Sequence, residues 1–164
     1  MATFNLPIPA ELVFYEKPGC LSNARQKARL VALGHCLEVR NLLVEAWTVQ
    51  RLRPFFGARP VADWFNRSAP RVRKGEILPD ALSETEALDL MVADPLLIRR
   101  PLIETGGFCD CGFEPGPLLG ALGVELADGE DLQSCSRGGV DPMCPEVSST
   151  ISLASSNKVP GAPR

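Results

Sequence analysis

The chain has 164 residues, a formal net charge of −3 and 45% hydrophobic residues. That balance gives no reason to expect a nucleic acid or an anionic membrane as a partner, and no apolar run is long enough to span a bilayer. The length suits one domain with an appendage, large enough to bury a core without disulfide staples.

The opening MATFNLPIPAELVF lacks a basic start followed by a long apolar core, so it does not read as a signal peptide. The expected compartment is the cytoplasm, where thiols stay reduced. Cysteines stand at 20, 36, 109, 111, 135 and 144, and His35 is the single histidine. Reduced cysteines of this kind are free, catalytic or metal-bound rather than paired. One histidine leaves little scope for a Cys–His or Ser–His catalytic pair.

ELVFYE (11–16) is rich in β-formers and bounded by Pro18-Gly19, which predicts a buried strand. Residues 22–33 predict a helix, capped by Ser22 or Asn23 with Gln26 completing a capping box, and stopped by Gly34. CLEVRNLL (36–43) is a second strand, with Cys36 expected in the core and His35 at the surface. A helix between two strands makes parallel pairing the default.

Thr48 caps a short helix running to Phe56 that Pro54 kinks or ends, and RPVADWFN (59–66) adds a helical turn. Trp47, Phe55, Phe56, Trp64 and Phe65 are the expected core of this helical stretch. Residues 68–80 read as irregular. Ser83-x-x-Glu86 is a capping box before a helix that ends at Asp94-Pro95. Two apolar runs around Gly106-Gly107 predict a β-hairpin, and residues 115–123 a closing helix.

From residue 124 the periodicity fades, and the last 20 or so residues are expected to be disordered. The organisation is a lead (1–10), a domain (11–123) and a largely irregular, cysteine-bearing extension (124–164). The order β-α-β, helices, hairpin, helix is that of an α/β thioredoxin-like fold with a helical insert between strands two and three, one option among α/β topologies.

Cys20 follows a buried strand and a Pro-Gly turn and stands just before a helix. The first turn of a helix carries unpaired N–H groups and partial positive charge, which favour a thiolate. Lys17 and Arg25 lie near in sequence and could add to that charge. Cys20 is the candidate nucleophile. Arg99-Arg100-Pro101 is the second informative piece. A cis bond to Pro101 would set the start of a strand against the Cys20 loop, with Arg100 toward the thiol. A guanidinium suits an oxyanion better than an ammonium does.

YEKPGC, WFNRS and DPLLIRRPLI together resemble the glutaredoxin-dependent arsenate reductase (ArsC/Spx-like) family, over roughly residues 11–123. PFFGARPVADWFN and ADPLLIRRPL are most similar to its nitrogenase-associated branch. The resemblance implies the thioredoxin-like fold, Cys20 as the redox cysteine, Pro101 as the cis-proline beside the site, and Arg100 and Arg67 as oxyanion-binding residues. It also implies glutathione or glutaredoxin as reductant, no bound cofactor, and a link to nitrogen fixation.

Some positions depart from the family's pattern. Glu16 stands where the family often has histidine, and its charge would disfavour a thiolate if it pointed inward. Ala24, followed by Arg25, replaces a helix-start arginine. FCDCGFEP has no match for a third oxyanion arginine. Each charge-assisted hydrogen bond of this kind is worth about 1.5–3 kcal/mol, so arsenate binding would be weakened. Asn23 rules out a CxxC switch at Cys20.

Cys109-x-Cys111 lies on the hairpin, with Cys135 and Cys144 in the extension. Their spacing is unusual for a zinc or iron–sulfur site, and free thiols are the expected state. Cys109 or Cys111 could act as a resolving thiol. Two functional readings follow. One is a thiol oxidoreductase using Cys20. The other is a non-enzymatic accessory protein that binds a nitrogenase-related partner.

Overall fold

The computed structural model describes residues 9–127 and 130–133. Strand β1 (Glu11–Glu16) leads into helix α1 (Leu21–Ala32) and returns in β2 (Cys36–Asn41). The two strands pair in parallel, from Glu11 opposite Cys36 to Glu16 opposite Asn41. The hairpin follows as β3 (Leu102–Thr105) and β4 (Phe108–Cys111). β3 is antiparallel to both β1 and β4, and the sheet order is β2-β1-β3-β4. No described helix is long and apolar enough to cross a membrane.

Between β2 and β3 lies the helical insert. It contains α2 (Val49–Leu52), α3 (Pro70–Arg73) and α4 (Glu84–Ala93), with single 3-10 turns at Arg53–Phe56, Val61–Trp64, Pro79–Ala81 and Pro95–Leu97. The Thr48 hydroxyl accepts from the Arg51 N–H at 3.2 Å, and Pro54 turns α2 into a 3-10 turn. Both halves of the Ser83–Glu86 capping box form, with Ser83 N–H to Glu86 Oε2 at 2.9 Å and Glu86 N–H to Ser83 Oγ at 3.3 Å. The stretch read as irregular, 68–80, includes one turn of helix, α3.

Strand alternation divides the core in two. Tyr15, Leu102 and Cys111 face the insert and pack with Trp47, Phe55, Phe56, Trp64, Phe65 and Met91. Phe56 stacks on Trp64 with centroids 4.7 Å apart and rings 7° from parallel. Leu12, Phe14 and Ile103 face the other way, against Leu30 of α1 and Leu118 and Leu119 of α5 (Pro117–Ala121). Val124 and Leu132 join this second cluster. The extension forms no helix or strand over its described residues, yet Val124 and Leu132 are buried.

Four local readings are corrected. Cys20, not Ser22 or Asn23, occupies the N-cap position of α1, with no side-chain hydrogen bond to the first turn, and the expected capping box is absent. Asn23 and Gln26 lie inside the helix and are buried, with Asn23 Nδ2 donating to Gln26 Oε1 at 2.8 Å. The second strand ends at Asn41 because the Asn41 side chain accepts from the Leu43 N–H at 2.9 Å and turns the chain.

His35, expected at the surface, is buried. Its Nδ1 accepts from the Ala10 N–H at 3.1 Å, which leaves the proton on Nε2 to donate to the Leu122 carbonyl at 2.7 Å. It joins the residue before β1 to the end of α5. Cys36, expected in the core, is exposed because β2 is an edge strand with few neighbours over it.

Candidate functional site

β1 ends at Glu16, and the Cys20 N–H closes a turn on the Lys17 carbonyl at 3.1 Å. Gly19 sits at φ 78°, a left-handed conformation that a side chain would strain. The chain then enters α1 through the Ala24 N–H to Cys20 carbonyl bond at 3.1 Å. Cys20 is half-buried, and no acidic residue occupies the first turn of α1. The thiol therefore lies at the positive end of the helix with no carboxylate competing from that turn. The Glu16 charge is paired, its Oε2 2.8 Å from Lys27 Nζ on α1.

The sheet register brings the second element to the same place. Tyr15 pairs with Leu102 across antiparallel strands, so the loop leaving β1 and the residues entering β3 lie at one end of the sheet. The Arg100–Pro101 bond is cis. Two backbone bonds and one from a side chain hold this turn. Arg99 N–H donates to the Trp64 carbonyl at 2.9 Å, Gly112 N–H donates to the Pro101 carbonyl at 2.8 Å, and the Gln133 side-chain amide donates to the Arg100 carbonyl at 2.8 Å. Among the described residues the Arg100 guanidinium has no hydrogen-bond or ion-pair partner.

Arg67 is placed differently. Its side chain is 73% exposed and reaches Asp63 Oδ1 at 3.7 Å. An antiparallel bridge between Phe65 and Ile98 lays this segment along the residues before Arg100, and Arg67 lies past the bridge on the far side.

Sequence reasoning missed Arg59 and Arg99. Arg99 donates to the Asp63 carbonyl at 3.1 Å and pairs with Glu114. Arg59 pairs with Asp110 at 3.0 Å and with Glu114 at 3.9 Å. A Cβ on Gly112 would stand 2.8 Å from Arg99 Nε, so the bare glycine gives that guanidinium its room. RRP was a visible signal for Arg99. Nothing local marks Arg59, whose partners come from β4 and the turn after it.

The two hairpin thiols lie on the insert face of the sheet. Burial, with the Glu104 charge, raises the Cys109 pKa. Burial pushes Cys111 up to about 12, against the opposing pull of Arg59 and Arg99. Neither is poised as a nucleophile at neutral pH. A cleft of about 410 Å³ on this face is lined by residues that include Tyr15, Arg51, Phe55, Glu104 and Cys109, but not by Cys20 or Arg100. Among the described residues no group of three metal-ligating side chains occurs. Cys135 and Cys144 lie outside the described residues.

A thioredoxin-like sheet with a cysteine at a helix N-cap position and an Arg–cis-Pro turn at the same end defines a class of thiol proteins. The comparisons with known proteins agree. The ArsC family model matches residues 15–119, and the chain belongs to that family. A 15.7 kDa uncharacterized protein in the draG 3′ region of Rhodospirillum rubrum is 46% identical over 137 residues, covering 84% of this chain and 96% of its own length. Arsenate reductase ArsI2 of Synechocystis is 30% identical over 99 residues, covering 57% of this chain and 69% of its own. Among solved structures, an ArsC family related protein from Bacteroides fragilis superposes with a TM-score of 0.60 at 24% identity, covering 68% of this chain and 98% of its own. Arsenate reductase from Vibrio cholerae gives 0.55 at 22% identity, covering 63% and 90%.

Proposed function

We propose that this protein is a cytoplasmic thiol oxidoreductase in which the Cys20 thiolate attacks an oxidised, oxyanionic substrate. The observation that carries the reading is the placement, at one end of adjoining strands, of a cysteine at the N-cap position of α1 and an arginine that has no carboxylate partner among the described residues. Arsenate is the first substrate to test, because relatives named arsenate reductases share 30% of aligned residues. Arg100 holds the oxyanion, and Arg67 joins it only by leaving Asp63. Reduction of arsenate to arsenite takes two electrons. Cys20 and one glutathione supply them and end as a mixed disulfide, which glutaredoxin reduces.

A second reading has its own support. Arg59 and Arg99 are neutralised by Asp110 and Glu114, and Gly112 stands in the segment where the family's third oxyanion arginine is missing. A site with so little free positive charge fits an accessory protein that keeps the fold and binds a partner. The relative in the draG region supports a nitrogen-fixation context and a nitrogenase-related partner for either reading.

The deciding experiment is glutaredoxin-coupled arsenate reduction by the purified chain beside Cys20→Ser. The oxidoreductase reading expects turnover that the variant loses entirely. An inert wild type with an accessible, reduced Cys20 would remove arsenate as substrate and leave the accessory reading in front.

A further inference from the structure

A chain of amides, buried at Asn23 and Gln26 and half-buried at Gln133, connects the Cys20 turn to the Arg100 turn, and it runs through the extension. Lys17 N–H donates to Asn23 Oδ1 at 3.4 Å, and Asn23 Nδ2 donates to Gln26 Oε1 at 2.8 Å. Gln26 Nε2 then donates to the Leu132 carbonyl at 2.6 Å. The next residue, Gln133, closes the circuit. Its Nε2 donates to the Arg100 carbonyl at 2.8 Å, and its Oε1 accepts from the Phe113 N–H just beyond β4.

Gln26 is fully buried, Asn23 is 1% exposed and Leu132 5%. Water therefore cannot replace these partners, and an amide that loses one is left unsatisfied. Arg29 adds a second tie from α1, donating to the Glu125 carbonyl at 2.6 Å and approaching Glu130 at 3.7 Å.

We propose that residues 130–133 form a strap that belongs to the site, and that Gln133 is the positioning residue that sets Arg100 relative to Cys20. This rests on the reading of Cys20 and Arg100 as a thiol and its anion-holding partner. The half-buried Arg100 guanidinium makes no hydrogen bond or ion pair with a described residue, so the ties on its backbone are the polar contacts that set its place. The insert holds that backbone at Arg99, Gly112 just past β4 holds it at Pro101, and the strap holds it at the Arg100 carbonyl. Gln133 is the one of the three ties made by a side chain. It also couples Arg100 to α1, through the adjoining Leu132 carbonyl. The strap thus brings the two halves of the site into one hydrogen-bonded unit. In consequence, an extension that reads as irregular in sequence carries part of the anion selectivity.

The test compares alkylation of Cys20 by the anion iodoacetate and the neutral iodoacetamide, followed by peptide mass in the full chain. Both reagents need the same thiolate, so the ratio of the two rates reports the positive charge near the sulfur. Arg100→Ala should lower the ratio. Gln133→Ala should lower it too, by roughly threefold or more, with the iodoacetamide rate and the thermal melt close to wild type. Gln50→Ala, at an exposed amide of the insert outside the circuit, should leave it unchanged.

If Gln133→Ala melts out, Gln133→Met keeps the packing volume and carries the same comparison. A wild-type ratio in a folded Gln133 variant, alongside a lowered ratio in Arg100→Ala, overturns the strap and leaves Arg100 standing. An unchanged ratio in Arg100→Ala overturns the reading of Arg100 itself, and the strap's role with it.

Discussion

Cys111 should resist thiol exchange while the protein is folded. Its thiol is 1% exposed and its pKa is pushed from 9.0 up to about 12, chiefly by burial. At pH 8 a thiol of pKa about 9 is roughly one-tenth thiolate, and one of about 12 roughly one part in ten thousand. The thiolate is the reactive form, so the native rate should fall about a thousandfold below that of the unfolded chain, before any loss from restricted access.

The assay is iodoacetamide alkylation at pH 8, native and in urea, with Cys111 followed by peptide mass. Native modification within about tenfold of the urea rate would refute the argument, and would restore Cys111 as a resolving thiol. The same shift bears on stability. Between the unfolded and folded values the native state holds a proton that the unfolded state has lost. Stability from this group is therefore full below pH 9.0 and falls as pH rises toward about 12. The loss across that window is about 4 kcal/mol. Urea melts of wild type and Cys111→Ala from pH 8 to 10 should diverge in slope accordingly.

Two further outcomes follow from the same geometry. Arg100→Ala should leave the urea midpoint unchanged, since its guanidinium has no described partner, and lower kcat/KM for an oxyanion substrate roughly 10- to 150-fold, the value of one charge-assisted hydrogen bond. A loss of less than about twofold would remove Arg100 from the site. Trp64→Ala deletes a fully buried ring stacked on Phe56, together with its Nε1 bond to the Arg59 carbonyl at 2.9 Å. It should cost about 3–5 kcal/mol in urea unfolding, and a cost below about 1 kcal/mol would mean the insert repacks.

By itself the sequence determined the features that depend on near neighbours. The Pro-Gly turn before Cys20, the Ser83–Glu86 box, the Thr48 cap and the hairpin around Gly106-Gly107 each need only residues within a few positions, and each formed where the pattern placed it. The aromatic cluster of the insert was equally visible, because ring size and apolar surface leave it few alternatives to burial.

Tertiary structure decided the rest. Whether Cys36 is buried depends on which strand ends up at the edge of the sheet, and His35 is buried only because Ala10 and Leu122 meet it from distant parts of the chain. The pair Arg99–Glu114 has no periodic signature, and Gln26 finds its acceptor 106 residues away. A polar side chain carries no mark of its partner, since any carbonyl or carboxylate of suitable geometry will serve. Only the folded chain selects which one it meets, and that selection ties the extension to the thiol and the arginine.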